Sequence, residues 1–243
     1  LRAGKCEVGH FALEKEMNFQ LKRDFLPFLE GFDGDALMLC NPNNPTGQII
    51  SREMLEEILT ICERRKMFLF IDECFLDLTD RGDCLTMKPY LQTHQNLFLL
   101  KAFTKSYGMA GLRLGYCLCG NASLLRTMGQ TVQPWNVSVP AQKAGVAALK
   151  QTAFLEKAKQ TIREQRAALT EGLRELGLRV IGSHTNYILF YSDRELREPL
   201  LEKGIQIRSC ANYPGLEAGW YRIAVKLPRE NETLLAALKE ILR

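Results

Sequence analysis

The sequence predicts an α/β fold: a largely parallel sheet with flanking helices, followed by a small C-terminal α+β domain. Three observations carry this. Short apolar runs alternate with stretches of helical periodicity through the first half of the chain. Polar residues capable of chemistry stand directly after several of those runs, where open parallel sheets bind ligands. A long stretch dense in Ala, Leu, Glu, Lys and Arg then separates this half from a shorter set of strands and helices.

Residues 36–40, 67–71, 97–100 and 115–119 read as buried strands, each short, apolar and bounded by polar or turn residues. Residues 52–66 read as a helix, because Met54, Leu55, Ile58, Leu59 and Cys62 recur at helical spacing and Ser51 stands at the N-cap position. Pro134 and Pro140 bracket a turn around Trp135-Asn136, and one helical stretch from about 141 to 176 bridges two lobes. Strands at 186–191, 205–208 and 221–225 and helices at 195–203 and 230–242 complete the chain. The expected division is a large-domain portion at 1–140, an interdomain helix at 141–176 and a small domain at 177–243.

Composition narrows the function. The 243 residues carry 32 basic and 28 acidic side chains, interspersed, for a net charge of +4. Nucleic-acid binding needs a concentrated basic patch, so no nucleic-acid partner is expected. No apolar stretch reaches the roughly 20 residues of a membrane span, and no membrane partner is expected. Arg2, Lys5, Glu7 and His10 interrupt the first twelve residues, which excludes a signal-peptide core there. Of the eight cysteines, Cys40, Cys117 and Cys119 lie in strand-like runs, so reduced core thiols in a cytoplasmic protein are expected. His10, His94 and His184 lack zinc-site spacing, and no metal is assigned.

Four short motifs carry chemistry, in order: Asn41-Pro42-Asn43-Asn44-Pro45-Thr46-Gly47, Asp72-Glu73-Cys74-Phe75, Thr104-Lys105 with Arg113 eight residues on, and Arg222. Lys105 follows a strand. A lysine that reacts as a nucleophile must lose its proton, which other cations nearby promote, and Arg113 supplies such a field while offering a planar fork to a phosphate. The alternative is a solvated lysine. Asp72 ends the run Phe68-Leu69-Phe70-Ile71 and needs a charged or protonated partner there, unless it caps a turn. Asn44 lies in a turn whatever its role. Arg222 within Trp220-Tyr221-Arg222-Ile223-Ala224-Val225 is costly unless paired, either with a substrate carboxylate or in a structural ion pair. Arg208 stands similarly in Ile205-Gln206-Ile207-Arg208. A second anion-binding arginine suits a substrate with both a phosphate and a carboxylate.

These motifs, in this order, resemble those of the fold-type-I pyridoxal-phosphate (PLP) enzymes of the aminotransferase superfamily, across essentially the whole chain. The resemblance implies PLP as cofactor, with Lys105 as the Schiff-base lysine and Asp72 on the pyridinium nitrogen. It places Asn44 on the ring hydroxyl, Arg113 on the cofactor phosphate beside Thr104, and Arg222 on the substrate carboxylate. It further implies a homodimer and a small phosphorylated amino-acid substrate. Residues 1–140 then correspond to part of a PLP-binding large domain.

Within the superfamily two branches compete, the L-threonine-O-3-phosphate decarboxylases of cobalamin synthesis and the histidinol-phosphate aminotransferases. Phe75 stands where aminotransferases usually carry Tyr. The string Ile207-Arg208-Ser209-Cys210-Ala211-Asn212-Tyr213-Pro214-Gly215-Leu216 looks almost verbatim like the decarboxylase signature, and Gly111-Leu112-Arg113-Leu114-Gly115-Tyr116 also fits. By that resemblance Arg208 binds the substrate phosphate and Asn186 the carboxylate, and PLP-dependent decarboxylation is the expected activity. A PLP-sensing domain of a transcription regulator is the competing reading from another class; it would tolerate loss of Asp72 or Arg222, and both are present. Two departures from the superfamily pattern stand out. Ala102 occupies the position three before the lysine where relatives commonly have Ser or Thr. The chain also opens on Leu1, with no Gly-rich phosphate loop or stacking aromatic ahead of Asn41, so a truncated chain is expected.

Overall fold

The computed structural model describes residues 6–243 and contains two four-stranded sheets. In the first, β1 (Ala36–Cys40), β2 (Phe68–Asp72) and β3 (Leu97–Ala102) run parallel, and β4 (Gly115–Cys119) closes the order β1-β2-β3-β4 antiparallel to β3. The largely parallel sheet is as the sequence predicts. Helices α1 (Phe25–Gly31), α2 (Arg52–Arg64), α3 (Gly82–Leu85), α4 (Phe103–Ser106) and α5 (Ala122–Thr131) flank or follow its strands.

Helix α2 shows why the local sequence folds as it does. The Ser51 hydroxyl accepts the Met54 N–H at 3.2 Å, satisfying one of the helix's orphan donors. Met54, Leu55, Ile58, Leu59, Ile61 and Cys62 form its buried stripe, and the large apolar members each contribute about 1.5–3 kcal/mol by leaving water. Lys66, in the left-handed region at φ 58°, turns the chain into β2.

The strands were expected to be buried on both faces; the structure buries one throughout and the other only in part, at Phe98 of β3. Leu69, Ile71, Leu97 and Leu99, with Leu37 and Leu39 half-buried, pack beneath α1 and α2. On the opposite face Met38 is 50% and Phe68 38% exposed. There Phe68, Phe70 and Phe98 shield one another, the last two stacked at 4.6 Å.

The expected single helix over 141–176 is two: α6 (Val139–Ala148) and α7 (Thr152–Glu175). Bonds from Lys150 N–H to the Ala147 carbonyl and from Gln151 N–H to the Ala148 carbonyl tighten the last turn of α6. Gln151 then leaves helical geometry at ψ 56°. Helix α7 spans both halves of the molecule: Arg163 and Arg166 grip Asp80, while Leu169 and Leu173 are buried in the second core.

The second sheet is antiparallel, in the order β5 (Arg179–Ile181), β6 (Tyr187–Tyr191), β8 (Trp220–Ala224), β7 (Arg208–Ser209), backed by α8 (Arg197–Glu202) and α9 (Pro228–Leu242). The strand expected at 205–208 is reduced to the two residues of β7, because Gly204 at φ 75° turns the chain and pairing with β8 begins only at Arg208. Strand β5 lay outside the expectation.

Candidate active site

The parallel register fixes the site. Cys40 pairs with Asp72, and Asp72 with Leu100, so the carboxyl ends of β1, β2 and β3 emerge along one edge of the sheet. Three segments leave from that edge: the 41–48 turn, the loop after Asp72, and the short helix α4 that carries Thr104 and Lys105.

The turn is held from inside. Asn41 is fully buried; its Oδ1 accepts the Ile50 N–H at 2.9 Å and its Nδ2 donates to the Ile50 carbonyl. The Asn43 carbonyl accepts the Gly47 N–H at 2.7 Å, and Gly47 sits at φ 72°, where an added Cβ would strike Ser183. This geometry aims the Asn44 amide at the second sheet, where its Oδ1 accepts from Arg222 Nη1.

Asp72 is half-buried and its Oδ1 accepts the Cys74 N–H at 2.9 Å. Burial, and then the Asp72 charge, pushes the Cys40 thiol up to about 11; burial, and then its hydrogen bond to Asp72, pushes the Cys74 thiol up to about 12. Both thiols are protonated near neutrality and neither is an activated nucleophile. Lys105 is exposed, with Nζ 5.4 Å from the Phe75 ring centroid. Arg113, at φ 52°, donates Nη1 to the Ala110 carbonyl at 3.0 Å. The backbone ties it to the lysine's turn through the Phe103 N–H bond to the Leu114 carbonyl and the Ala102–Gly115 pairing, without a side-chain bond to another of the expected site residues.

On the second sheet Arg222 of β8 stands directly opposite Arg208 of β7. Like charges in that relation repel. Each guanidinium bonds an amide oxygen rather than a carboxylate: Arg222 that of Asn44, and Arg208 that of Asn212 at 3.3 Å. Asn186 precedes β6; its side-chain oxygen accepts from the Thr185 hydroxyl at 3.2 Å, and its carbonyl accepts the Val225 N–H.

The structure thus joins Asn44 directly to Arg222, sets Arg222 against Arg208, and brings Asp72 and Lys105 to the same sheet edge. Two features escaped sequence reasoning. Tyr187 lies under the Arg222 guanidinium, 5.3 Å from its carbon to the ring centroid, and meets Phe75 edge-on at 5.0 Å. The second is a buried ion cluster beside Asp72. Lys101, its side chain 9% exposed, lies 3.1 Å from Glu73 and 2.7 Å from Asp77. The fully buried Glu73 also accepts from the Thr86 hydroxyl and the Met87 N–H. Burial alone would lower the Lys101 ammonium, but Glu73 and Asp77 outweigh it and hold it raised. The consecutive acids Asp72-Glu73 after so apolar a strand were the available signal.

Comparison with known proteins places this geometry. The family model described as aminotransferase class I and II matches residues 1–238. The threonine-phosphate decarboxylase of Salmonella typhimurium (strain LT2) is 36% identical over 241 residues, 98% of this chain and 65% of that protein. A histidinol-phosphate aminotransferase of Caldanaerobacter subterraneus subsp. tengcongensis is 31% identical over 99% of this chain and 66% of its own length. The chain therefore spans about two thirds of the length of these curated relatives. Among solved structures, a histidinol-phosphate aminotransferase from Clostridium acetobutylicum superposes with a TM-score of 0.81 at 31% identity, over 86% of this chain and 64% of that one. A decarboxylase from Sulfurospirillum multivorans superposes with a TM-score of 0.87 at 25% identity, over 98% and 70%. The chain belongs to the aminotransferase class I and II family, whose members depend on PLP.

Proposed function

We propose that this protein is a PLP-dependent decarboxylase acting on L-threonine O-3-phosphate, giving aminopropanol phosphate and carbon dioxide. The observation that carries the reading is the cross-strand pair Arg208–Arg222, each guanidinium resting on an amide oxygen. A ligand with a carboxylate and a phosphate offers one anion to each arginine and relieves their repulsion. An amino acid with a single anionic group would leave one of them unanswered.

The residues present fit the cofactor. Asp72 accepts one backbone N–H and keeps lone pairs for a protonated ring nitrogen. Asn44 spends its oxygen on Arg222 and keeps its NH₂ for a ring oxygen. Arg113 spends one N–H on a carbonyl and keeps the rest of its fork for a phosphate, to which the Thr104 hydroxyl of α4 would also donate. Lys105 is the amine for covalent attachment. PLP, when bound, supplies an electron sink for negative charge at the substrate's α-carbon. Arg222 fixes the carboxylate that departs, Arg208 and Asn212 hold the phosphate end, and Asn186 borders the carboxylate side. Lys105 Nζ is the group that moves a proton to the α-carbon, so that one proton replaces the lost carboxylate. Phe75 brings no hydroxyl to the lysine, only a ring face.

Transamination of histidinol phosphate is the second reading. It is supported by the 31% identical aminotransferase relative; histidinol phosphate offers a phosphate to one arginine but no carboxylate to the other, which only the 2-oxo acid co-substrate would supply. Phe75 and the 207–216 string favour the decarboxylase. The reading includes a cytoplasmic homodimer working in cobalamin synthesis. The exposure of Lys105 and Arg113 leaves room for a second subunit to border the site, and the buried thiols of Cys62 and Cys210 suit a reducing compartment.

The test is product mass spectrometry on the protein given PLP and O-phospho-L-threonine without any 2-oxo acid. Product lighter by carbon dioxide over many turnovers is expected. Amino transfer from histidinol phosphate to 2-oxoglutarate, with no loss of carbon dioxide, would move the assignment to the aminotransferase.

A further inference from the structure

We propose that Tyr187 is a positioning residue that sets the Arg222 guanidinium for the ligand carboxylate and ties it to the 41–48 turn; the inference rests on the substrate reading above. Strand register puts it there. Arg222 lies opposite Leu189 on β6, and Tyr187, two residues from Leu189, shares that face as the diagonal neighbour of the arginine. Its ring receives the guanidinium at 5.3 Å, within cation–π range. The phenol is 4% exposed and donates to the Asn43 carbonyl at 2.8 Å, next to the asparagine that Arg222 itself bonds. Phe75, meeting the ring edge-on at 83°, fixes its rotation. One side chain therefore touches the arginine of the second sheet, the backbone of the cofactor turn on the first, and the aromatic ring beneath Lys105.

A buried tyrosine in an apolar strand is ordinarily core, with its hydroxyl reaching for any acceptor. Here the acceptor is not in need of a partner, since the Asn43 carbonyl already receives the Gly47 N–H at 2.7 Å. The hydroxyl bond adds a link between the two sheets rather than satisfying an orphan. Burial holds the phenol far above its ordinary range despite the nearby Arg222 charge, so the link persists at any working pH.

The probe is 3-phosphonopropionate, which carries a carboxylate and a phosphonate and has no amine with which to react. Its binding to the PLP-loaded protein is measured by calorimetry for the native chain, Tyr187→Phe, Tyr187→Leu, Arg222→Ala and the Tyr187→Leu/Arg222→Ala double variant. Tyr187→Leu should weaken binding about 5- to 30-fold, the range of a desolvated cation–π contact. Tyr187→Phe, which keeps the ring and removes only the hydroxyl, should weaken it about 2- to 10-fold and leaves folding intact. In the Arg222→Ala background the Leu substitution should change nothing further. The Arg222 Nε–H resonance of the ligand-free protein should be displaced by the ring current in the native chain and in Tyr187→Phe, and relax in Tyr187→Leu. An equal loss from Tyr187→Leu with and without Arg222, or an Nε–H signal indifferent to the ring, overturns the inference. Binding that Arg222→Ala leaves unaltered, or no binding at all, removes the substrate reading and the inference with it.

Discussion

Replacing Lys101 by Met tests whether the ion cluster beside Asp72 holds the site together. Among the described residues the ammonium is the only positive charge bonded to Glu73 and Asp77, and Glu73 is fully buried. Removing one partner of a buried pair costs about 3–5 kcal/mol, because the remaining charge is left uncompensated. Glu73 keeps its bonds from the Thr86 hydroxyl at 2.7 Å and the Met87 N–H at 2.9 Å, and Asp77 is partly solvated, so the lower end applies: about 3 kcal/mol. For a chain of this size that lowers the melting temperature by about 6–12 °C. Urea unfolding followed by tryptophan fluorescence and circular dichroism reads it. Lys101→Arg should recover most of the loss, and Lys101→Met with Glu73→Gln should be more stable than Lys101→Met alone, since the orphaned charge is gone. A single variant within about 0.5 kcal/mol of native, the scale of ordinary surface changes, would refute the reasoning. So would a double variant no better than the single.

Lys105→Ala should eliminate the visible absorbance retained by the PLP-treated protein after desalting; a persistent band would refute covalent attachment at that residue. Gly47→Ala should cost at least about 1 kcal/mol in urea unfolding, since φ 72° is unfavourable for a side chain and the new Cβ meets Ser183; an unchanged midpoint would mean the turn relaxes freely. Asp80 gives a pH test. Burial alone would raise its carboxyl, but Arg163 and Arg166 outweigh that and hold it below the ordinary range. A depressed folded value contributes stability above the unfolded pKa of about 3.9 and loses it as pH falls through the folded value. Asp80→Asn should therefore be less stable than native at pH 7 and converge with it in acid; parallel curves down to about pH 2 would show that the bridge contributes nothing.

The family and the convergence of the strand ends were more legible in the sequence than the packing. Ser51 and the apolar stripe behind it specify α2 unaided, because capping and periodicity are local. The residues after β1, β2 and β3 were legible as a site because strand ends in a parallel sheet must converge. What failed was non-local. Apolar runs do not say how many faces will be covered, and Phe68 and Met38 read as core until the uncovered face is seen. No Gly or Pro marks the break at 149–151, where Leu-Lys-Gln leaves helical geometry through a tightened turn. The burial of Lys101 is set by two acids 24 and 28 residues away, which no local pattern shows. Tyr187 reads as core, and its part follows only from the register of β6 against β8.

The two sheets meet through the turn, and that meeting decides what Asn44 can do. Tyr187 donates to the Asn43 carbonyl, His184 N–H to the Gly47 carbonyl at 3.0 Å, and Gln48 Nε2 to the Gly182 carbonyl at 2.5 Å. At about 0.5–1.5 kcal/mol each these bonds clamp the turn against the second sheet before any ligand arrives. A guanidinium has only donors, so facing Arg222 the Asn44 side chain must present oxygen, which leaves its NH₂ for the opposite side. Any further partner of that NH₂ must accept, so an acceptor oxygen is selected over a donor. A carboxylate that draws Arg222 toward itself stretches the same hydrogen bond and loosens the amide. In the site proposed above, Arg222 and Asn44 would therefore form one adjustable unit, and substitution at either should be felt at both.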